Sequence, residues 1–414
     1  MTEDDAGASR PTQLKTIVIL FIILRLALLF MYTPQGLFNA YSDYYFYFRT
    51  SQLADRGYYP FVNMWYEYPP LSTYIVHAVY RLTQAILPVG DINSPGYQIY
   101  ARLLGTTLLL FETGTLIMLH RIAAKTWDSR RADWLAWVYS ALSLPLFFWN
   151  ITHTTIMVFW LLVALEGLIA ERWGRSALAL GLAIAAKLTP VFLLGPVFKL
   201  LWPQRSRWVT YGLITGVTAA AAYLPLALLG GGPWIVASFV ALGKVGSWST
   251  PWALLDGNWG PGSFGLLSTR LDLAQASVAR GQPAVVPAWL SLSLFAALYA
   301  AVFFRKLERR GPQQVIWFTT LSAMLFHLWS KGWSPQWAML IIPLLLLSFP
   351  DGRGLRLVLL LTLIVFVEWP LADAFGSHAL LAAAVLGRTL LFMVVGLRTA
   401  RLLWPAANFA NPAQ

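Results

Sequence analysis

Apolar runs of roughly 20 residues recur along most of this 414-residue chain, and they constrain its fold more than any other feature. A helical run of that length crosses about 30 Å of hydrocarbon. The composition agrees, since 58% of the residues are hydrophobic, 12% are charged and the mean hydropathy is +0.60. The sequence therefore predicts an all-α, polytopic integral membrane protein with about 11–12 crossings in one domain.

The basic residues predict how the chain is oriented. Lys and Arg give a net charge of +12 and gather in short loops between apolar runs, which is typical of cytoplasmic loops and leaves no need for a nucleic-acid partner. Leu14–Met31 is interpreted as the first membrane helix, because it is long for a signal peptide and no small-residue cleavage site follows. The absence of cysteine excludes disulfides. The resulting organisation in a plasma membrane is a cytoplasmic N-terminus at 1–13, a transmembrane domain at 14–403, outer loops at 34–97 and 231–284, and a cytoplasmic tail at 404–414.

Two stretches do not fit a simple alternation of crossings. The apolar stretch between Arg175 and Arg205 has basic residues at both ends, so the chain must return to the side it left. This predicts a helix hairpin or a broken helix with Lys187 near its tip, facing protein or a wet cavity. The stretch 69–88 carries His77 and Arg81, and it is predicted to lie in the outer interface without crossing.

Asp43 is the candidate catalytic base. It follows the first apolar run within an aromatic segment, 41–47, and a carboxylate at the mouth of a membrane bundle is costly enough to suggest function. Such a carboxylate can accept the proton of an attacking hydroxyl. Residues 44–57 are predicted to form an amphipathic helix on the membrane surface. The alternative is that Asp43 is an ordinary interfacial acid that caps a short helix.

Three cations, Lys187, His327 and Lys331, are predicted to bind a donor phosphate. Negative charge that builds on a departing phosphate is stabilised by cations placed against it. His327 and Lys331 are four residues apart and would share a face if the helix continues that far. The alternative is a snorkelling lysine and a histidine bonded to a carbonyl. Arg270 is a further phosphate candidate, and no metal or cofactor is expected because the sequence has no crowded acid and histidine cluster.

Further polar and aromatic residues are candidates for the sugar or acceptor. Aromatic rings can stack on a sugar or a polyprenyl chain, although interfacial belts explain many of them equally well. The candidates for these contacts are Glu67, Tyr44, Trp65, His153, Trp333 and Gln336. Other charges inside apolar runs are expected to pair within the bundle for structural reasons, namely Arg25, Arg102, Glu112, Glu368 and Arg388.

Several short motifs resemble one family of membrane enzymes. Asp43 after the first helix, followed by a segment at 54–60, resembles the first outer loop of GT-C glycosyltransferases. The most similar families are the bacterial family 87 enzymes that use polyprenyl-phosphate mannose and the eukaryotic mannosyltransferase of GPI-anchor assembly. The remaining motifs are Tyr66-Glu67-Tyr68-Pro69-Pro70-Leu71, Ala185-Ala186-Lys187-Leu188-Thr189-Pro190 and Lys331-Gly332-Trp333-Ser334-Pro335-Gln336.

The resemblance implies a GT-C fold, a polyprenyl-phosphate sugar donor, inversion at the sugar carbon, and Asp43 as the base. Two departures matter. Many GT-C enzymes carry two adjacent acids in the first loop, whereas Asp43 has Ser42 and Tyr44 beside it, which implies the metal-independent, single-acid version. The middle outer loop reads Asn150-Ile151-Thr152-His153 where Gly-Gln-x-Asp is expected, so the sugar contacts differ.

The expected function is transfer of a hexose, with mannose as the expected sugar, to a lipid or glycan acceptor on the outer face. The alternative from another class is a transporter or flippase of a lipid-linked or anionic solute. Alternating access often uses repeated halves, and the sequence shows no repeat. A third hypothesis, a lipid-binding scaffold without chemistry, requires Asp43 to point into lipid headgroups.

Overall fold

The computed structural model describes residues 12–31, 43–307 and 311–405. The expectations for residues 1–11, for 34–42 of the first outer loop and for 406–414 of the tail lie outside these residues. The described chain is helical, and its only β pairing consists of isolated bridges such as Pro60 with Met64. The predicted all-α class is confirmed.

The helices of the first half begin with two that flank the undescribed segment after the first apolar run. They are α1 Leu14–Met31, α2 Asp43–Ala54, α3 Pro70–Ile86, α4 Pro95–Thr126, α5 Ser129–Ala141, α6 Ser143–Phe148, α7 Thr154–Ile169, α8 Trp173–Ala186, α9 Leu194–Leu201 and α10 Arg205–Ala221. The second half contains α11 Gly232–Lys244, α12 Pro251–Asp256, α13 Ala288–Phe304, α14 Pro312–Trp329, α15 Ala338–Ser348, α16 Gly352–Phe366 and α17 His378–Leu403.

Several of these helices are suited to a lipid environment. By length and composition, five can cross a membrane: Leu14–Met31, Pro95–Thr126, Leu224–Lys244, Gly352–Ala374 and His378–Leu403. Large apolar side chains on α1 point away from the protein, with Ile23 57% and Phe30 56% exposed. Such surfaces are compatible with lipid rather than water. The protein is therefore a multi-pass membrane protein as predicted, and the number of crossings stays a prediction.

Buried charges pair across the bundle. Arg25 of α1 lies 3.8 Å from Glu112 of α4, and Tyr139 of α5 donates a 2.9 Å hydrogen bond to the same carboxylate. Glu368 forms an ion pair with Arg388 of α17. Because isolated charges are costly in a membrane protein, these pairs support the structural role predicted for the four charged residues.

The stretch around Lys187 is a helical hairpin. Helix α8 packs along α7 and ends at Ala186, where Lys187 adopts an extended conformation and its amine reaches Thr154 at the start of α7. A 3₁₀ turn and α9 then lead the chain back, and Lys199 donates a 2.8 Å hydrogen bond to the carbonyl of Arg305 at the opposite end. The predicted hairpin is confirmed, with Lys187 at its tip.

The predicted outer loop 231–284 contains an apolar helix. Helix α11 packs against the first outer loop, where the Ser238 hydroxyl accepts a 2.9 Å hydrogen bond from the backbone of Tyr66. Its other side exposes Val236 (63%) and Phe239 (47%). The glycines before it look like loop residues, yet only Gly230 needs its conformational freedom, at φ 88°. The chain bends there and continues as helix.

Candidate active site

Asp43 is the first residue of α2 and lies at the same end of the bundle as the hairpin tip. One helical turn later, the hydroxyl of Tyr47 donates a 3.1 Å hydrogen bond to its carboxylate. The hydroxyl of Thr152, in the segment before α7, lies near the same carboxylate and lowers its pKa by hydrogen bonding. Asp43 as a residue is half-buried.

A row of polar side chains joins Asp43 to Lys187. The Lys187 amine donates to the hydroxyl of Thr154 over 3.2 Å, and that hydroxyl lies 3.2 Å from the hydroxyl of Thr152. The Thr152 hydroxyl in turn lies near the carboxylate of Asp43 and lowers its pKa. The carboxylate and the ammonium group are thus held in one site, with Thr152 and Thr154 between them.

Burial dominates the electrostatics of Asp43. It raises the pKa of Asp43 above the usual 3.8, because a carboxylate loses hydration there. The positive charge of Lys187 and the hydrogen bonds from Thr152 and Tyr47 offset part of this effect, whereas Glu67 adds to it. The pKa remains raised, which makes Asp43 a stronger base than an exposed aspartate.

His153 extends this network toward an aromatic cavity. Its Nδ1 lies 2.6 Å from the Tyr47 hydroxyl, and its ring contacts Tyr47 and Tyr68 edge-on, with centroids 4.9 and 4.6 Å apart. Because Tyr47 gives its only proton to Asp43, Nδ1 must donate to the Tyr47 oxygen. In a neutral ring Nε2 is then an acceptor, and it has no partner among the described residues.

The cavity beside His153 has a volume of about 100 Å³ and an aromatic lining. Tyr47, Tyr59, Phe61 and Tyr68 contribute to it. The unpartnered Nε2 of buried His153 can accept a hydrogen bond from a hydroxyl group there. The arrangement suits a ligand with hydroxyls and apolar faces, such as a sugar.

Glu67 is held beside the site by Arg270. The two side chains form a buried ion pair, although they are about 200 residues apart in sequence. The guanidinium of Arg270 lies over the ring of Phe46 at 4.7 Å and near that of Trp65 at 5.4 Å. Arg270, a candidate for phosphate binding, is thus already paired with the carboxylate of Glu67. The same ion pair fixes the orientation of Glu67 near Asp43.

Two of the three predicted phosphate-binding cations come together. The Lys187 amine lies 5.4 Å above the ring of Trp337, and the ring of His327 lies 5.8 Å from the same indole. His327 is buried, and neither of its ring nitrogens has a hydrogen-bond partner among the described residues. A buried imidazole without partners has capacity to bind a ligand group.

Lys331 does not join Lys187 and His327. Lys331 and His327 were expected to share a helix face if the helix continued that far, but α14 ends at Trp329 and Lys331 lies beyond it. Lys331 is exposed and lines a separate cavity of about 410 Å³ with Lys244 and Arg280. Lys331 therefore lies apart from the group that Lys187 and His327 form around Trp337.

The segment 331–336 is locked in place by Trp248. The backbone of Trp248 exchanges hydrogen bonds with Lys331 (3.0 Å) and Trp333 (3.1 Å). A Cβ atom on Gly332 would lie 2.2 Å from the indole of Trp248, so only glycine fits. This packing places Gln336, which is partly exposed, at the start of the helical segment whose Trp337 contacts Lys187.

The remaining aromatic candidates are buried. Tyr44 donates a 3.1 Å hydrogen bond to Asn150. Trp65 packs in a separate cluster and donates a 3.2 Å hydrogen bond to the carbonyl of Asp272. Trp333 is enclosed between the Arg388 guanidinium at 4.5 Å and the His327 ring at 5.4 Å. The three side chains are therefore held by contacts within the protein.

Sequence reasoning missed the residues that connect the candidates. Tyr47, Thr152 and Thr154 were not singled out, although they link Asp43 to Lys187 and His153. Two signals were available. Tyr47 is four residues after Asp43 and hence on the same helix face, and two threonines flank His153 just where an apolar helix begins.

The model of glycosyltransferase family 87 matches residues 66–330, which is more than half of the chain. The chain belongs to glycosyltransferase family 87. The resemblance is confirmed, and the protein is a membrane glycosyltransferase. The family 87 match covers the hairpin and His327 but not Asp43, so the placement of Asp43 depends on the geometry described above.

Two solved structures of ArnT from Cupriavidus metallidurans, one bound to undecaprenyl phosphate and one in the apo state, are similar over 94% of this chain and 78% of ArnT. Sequence identities are 12% and 13%, and TM-scores are 0.47 and 0.37. No curated protein matches the sequence.

Proposed function

We propose that this family 87 enzyme transfers a hexose, with mannose as the expected sugar, from a polyprenyl phosphate to an acceptor hydroxyl with inversion. The observation that carries the proposal is the row of polar side chains, Thr152 and Thr154, that connects Asp43 to Lys187. One carboxylate and one ammonium group at a single site match the two needs of the reaction, proton removal and charge stabilisation.

Asp43 is the proposed base. The acceptor hydroxyl gives its proton to the carboxylate while its oxygen forms a bond to the anomeric carbon. The bond from that carbon to the phosphate oxygen breaks at the same time, and polyprenyl phosphate leaves. The raised pKa of Asp43 favours this proton transfer. Attack opposite the leaving group gives a product of inverted configuration.

The leaving phosphate is proposed to bind at Lys187 and His327. A phosphodiester becomes a phosphomonoester in the reaction, so its negative charge grows toward the transition state. Lys187 then stabilises the transition state more than the ground state. His327 has two unsatisfied ring nitrogens beside the same indole, Trp337. No metal takes part in this proposal.

The sugar is proposed to lie between Asp43 and the aromatic cavity. His153 would accept a hydrogen bond from a sugar hydroxyl at Nε2, and Tyr68 would offer its ring. Glu67, oriented by Arg270, would contact a hydroxyl of the sugar or the acceptor. This arrangement differs from the Gly-Gln-x-Asp element expected in the family, because His153 occupies that loop.

The site is proposed to face the outside. At the other end of the bundle, Glu166 is surrounded by the basic residues Lys125, Arg121 and Arg175. That basic end is the cytoplasmic one by the positive-inside rule. Asp43 and the hairpin tip are at the opposite end, where a lipid-linked donor in the outer leaflet can reach them.

A panel of donors tests the proposal. The purified protein in lipid nanodiscs is incubated with polyprenyl-phosphate mannose, polyprenyl-phosphate glucose or the nucleotide sugar GDP-mannose, each with a labelled sugar. Transfer or hydrolysis from a polyprenyl donor, with inverted configuration by NMR, is expected. Use of the nucleotide sugar alone, or retention of configuration, would contradict it. A preference for glucose would overturn only the choice of sugar.

A further inference from the structure

A second cavity lies at the basic end of the bundle, far from Asp43. Its volume is about 740 Å³, and it is formed by the end of α4, by α14, by the turn before α16 and by the last turns of α17. Arginines from three places in the sequence line it: Arg131, Arg353, Arg356, Arg398 and Arg401. The proposed transfer reaction uses none of them.

The positive charge of this cavity is only partly neutralised. Arg353 pairs with Asp351 at 3.0 Å, and Arg131 pairs with Asp128 at 3.3 Å. The other three arginines have no carboxylate within 4.0 Å among the described residues. The positive-inside rule explains why basic residues are at this end, but it does not require them to surround one cavity. Unpaired guanidinium groups that share a cavity favour an anion there.

The wall of the cavity is rigid and aromatic. Trp127 donates a 3.1 Å hydrogen bond to the carbonyl of Leu347, and Trp317 donates one of the same length to the carbonyl of Ser348. The centroids of the two rings are 6.2 Å apart. Because these carbonyls are at the end of α15, the tryptophans fix the turn that carries Asp351 and Arg353. A preformed wall lowers the entropic cost of ligand binding.

One rim of the cavity is apolar and faces outward. Leu360 of α16 and Leu402 of α17 line it and are both exposed. An acyl chain can therefore leave the cavity along a lipid-facing surface while a charged head remains among the arginines. A soluble anion would gain nothing from this rim. Basic pockets between membrane helices are known to accept anionic lipid headgroups.

We propose that this cavity binds an anionic phospholipid through its headgroup, and that a headgroup with two phosphates binds more tightly than one with a single phosphate. Arg356, Arg398 and Arg401 supply the unpaired guanidinium groups, whose planar donors match phosphate oxygens. Leu360 and Leu402 contact the first part of the acyl chains. The site is separate from the donor site and does not depend on the proposed reaction.

The test compares two double variants that remove the same charge from the same end of the protein. One is Arg398→Gln with Arg401→Gln in the cavity. The control is Arg205→Gln with Arg207→Gln at the start of α10, which lies outside the cavity lining. The purified proteins are titrated in neutral-lipid nanodiscs with fluorescent cardiolipin, and binding of phosphatidylglycerol and phosphatidylcholine is measured alongside.

Cardiolipin is expected to bind the wild type and the control alike, and the cavity variant about tenfold or more weakly. Arg356→Gln, on a different helix, should weaken cardiolipin binding too. This second variant keeps the test valid if the double variant fails to fold. Equal loss in the control, or binding of phosphatidylcholine as tight as that of cardiolipin, would overturn the proposal. Displacement of cardiolipin by soluble pyrophosphate at a similar concentration would overturn the assignment of a lipid ligand and favour a soluble anion.

Discussion

Replacing Lys187 by Met removes the ammonium group and keeps the length and apolar stem of the side chain. Lys187 is buried at the tip of the hairpin, with Thr154 and the ring of Trp337 as its contacts. Neither neighbour carries a charge, so no group nearby can replace the lost cation. His327, the other candidate at this site, also contacts Trp337 but is a weaker donor when neutral.

The size of the effect follows from the role of the charge. Removing one preorganised donor from developing negative charge costs about 2.7–4 kcal/mol, which is about a 10²- to 10³-fold loss in kcat. The ground state already carries one negative charge on the phosphate, so donor binding should weaken as well, by a smaller factor. We therefore expect the loss to appear mainly in kcat.

The assay measures single-turnover transfer from labelled polyprenyl-phosphate sugar in nanodiscs, with Lys331→Met as the matched control. Lys331 has the same chemistry and lies near His327 in sequence, but it lines a different cavity. The control should retain at least about half of the wild-type rate, since an exposed surface lysine contributes little. Equal losses in both variants, or wild-type kcat for Lys187→Met, would refute the assignment of the phosphate site.

Three further predictions follow from individual contacts. Thr152→Val removes a hydrogen-bonding hydroxyl that lowers the pKa of Asp43, so the acidic limb of the pH–rate profile should move to higher pH. Thr155→Val is the control, because its hydroxyl has no partner among the described residues, and it should leave the limb in place. An unmoved limb in both variants would contradict the effect of Thr152 on Asp43. Glu368→Gln leaves the Arg388 charge buried and unpaired, which costs about 3–5 kcal/mol of stability and should lower the unfolding temperature. The double variant, Glu368→Gln with Arg388→Met, should recover part of that loss. His153→Phe keeps the ring packing but loses both ring nitrogens, so the KM for the donor should rise by about tenfold, and loss of the buried hydrogen bond to Tyr47 should also lower the unfolding temperature. An unchanged KM would remove the proposed sugar contact.

The sequence carried enough information for the membrane architecture. Apolar runs and the positions of Lys and Arg predicted the helical class and the hairpin, because the length and charge rules of membrane helices act locally. The pairs Arg25–Glu112 and Glu368–Arg388 were also foreseeable, since a charge inside a bundle needs a partner. Helix α11 was missed because its glycines look like a loop and its packing partner, the segment around Tyr66, is remote in sequence.

The candidate site was only partly predictable. Single residues such as Asp43 and Lys187 stood out because charges are rare in this chain. The contacts between them depend on which helices meet, and the hydroxyls of Thr152 and Thr154 carry no charge to draw attention. The grouping of Lys331 with His327 depended on a continuous helix, whereas the helix ends at Trp329 and the backbone of Lys331 pairs with Trp248.

The most direct test of the central claim is Asp43→Asn, measured for both transfer and folding. Because the pKa of Asp43 is raised, its contribution to stability is full at low pH and is lost as the pH rises through that pKa, so a neutral amide should be tolerated at neutral pH. The account predicts transfer lowered by about 10²- to 10⁴-fold with an unfolding temperature equal to or above that of the wild type. Wild-type transfer by a well-folded Asn variant would contradict it.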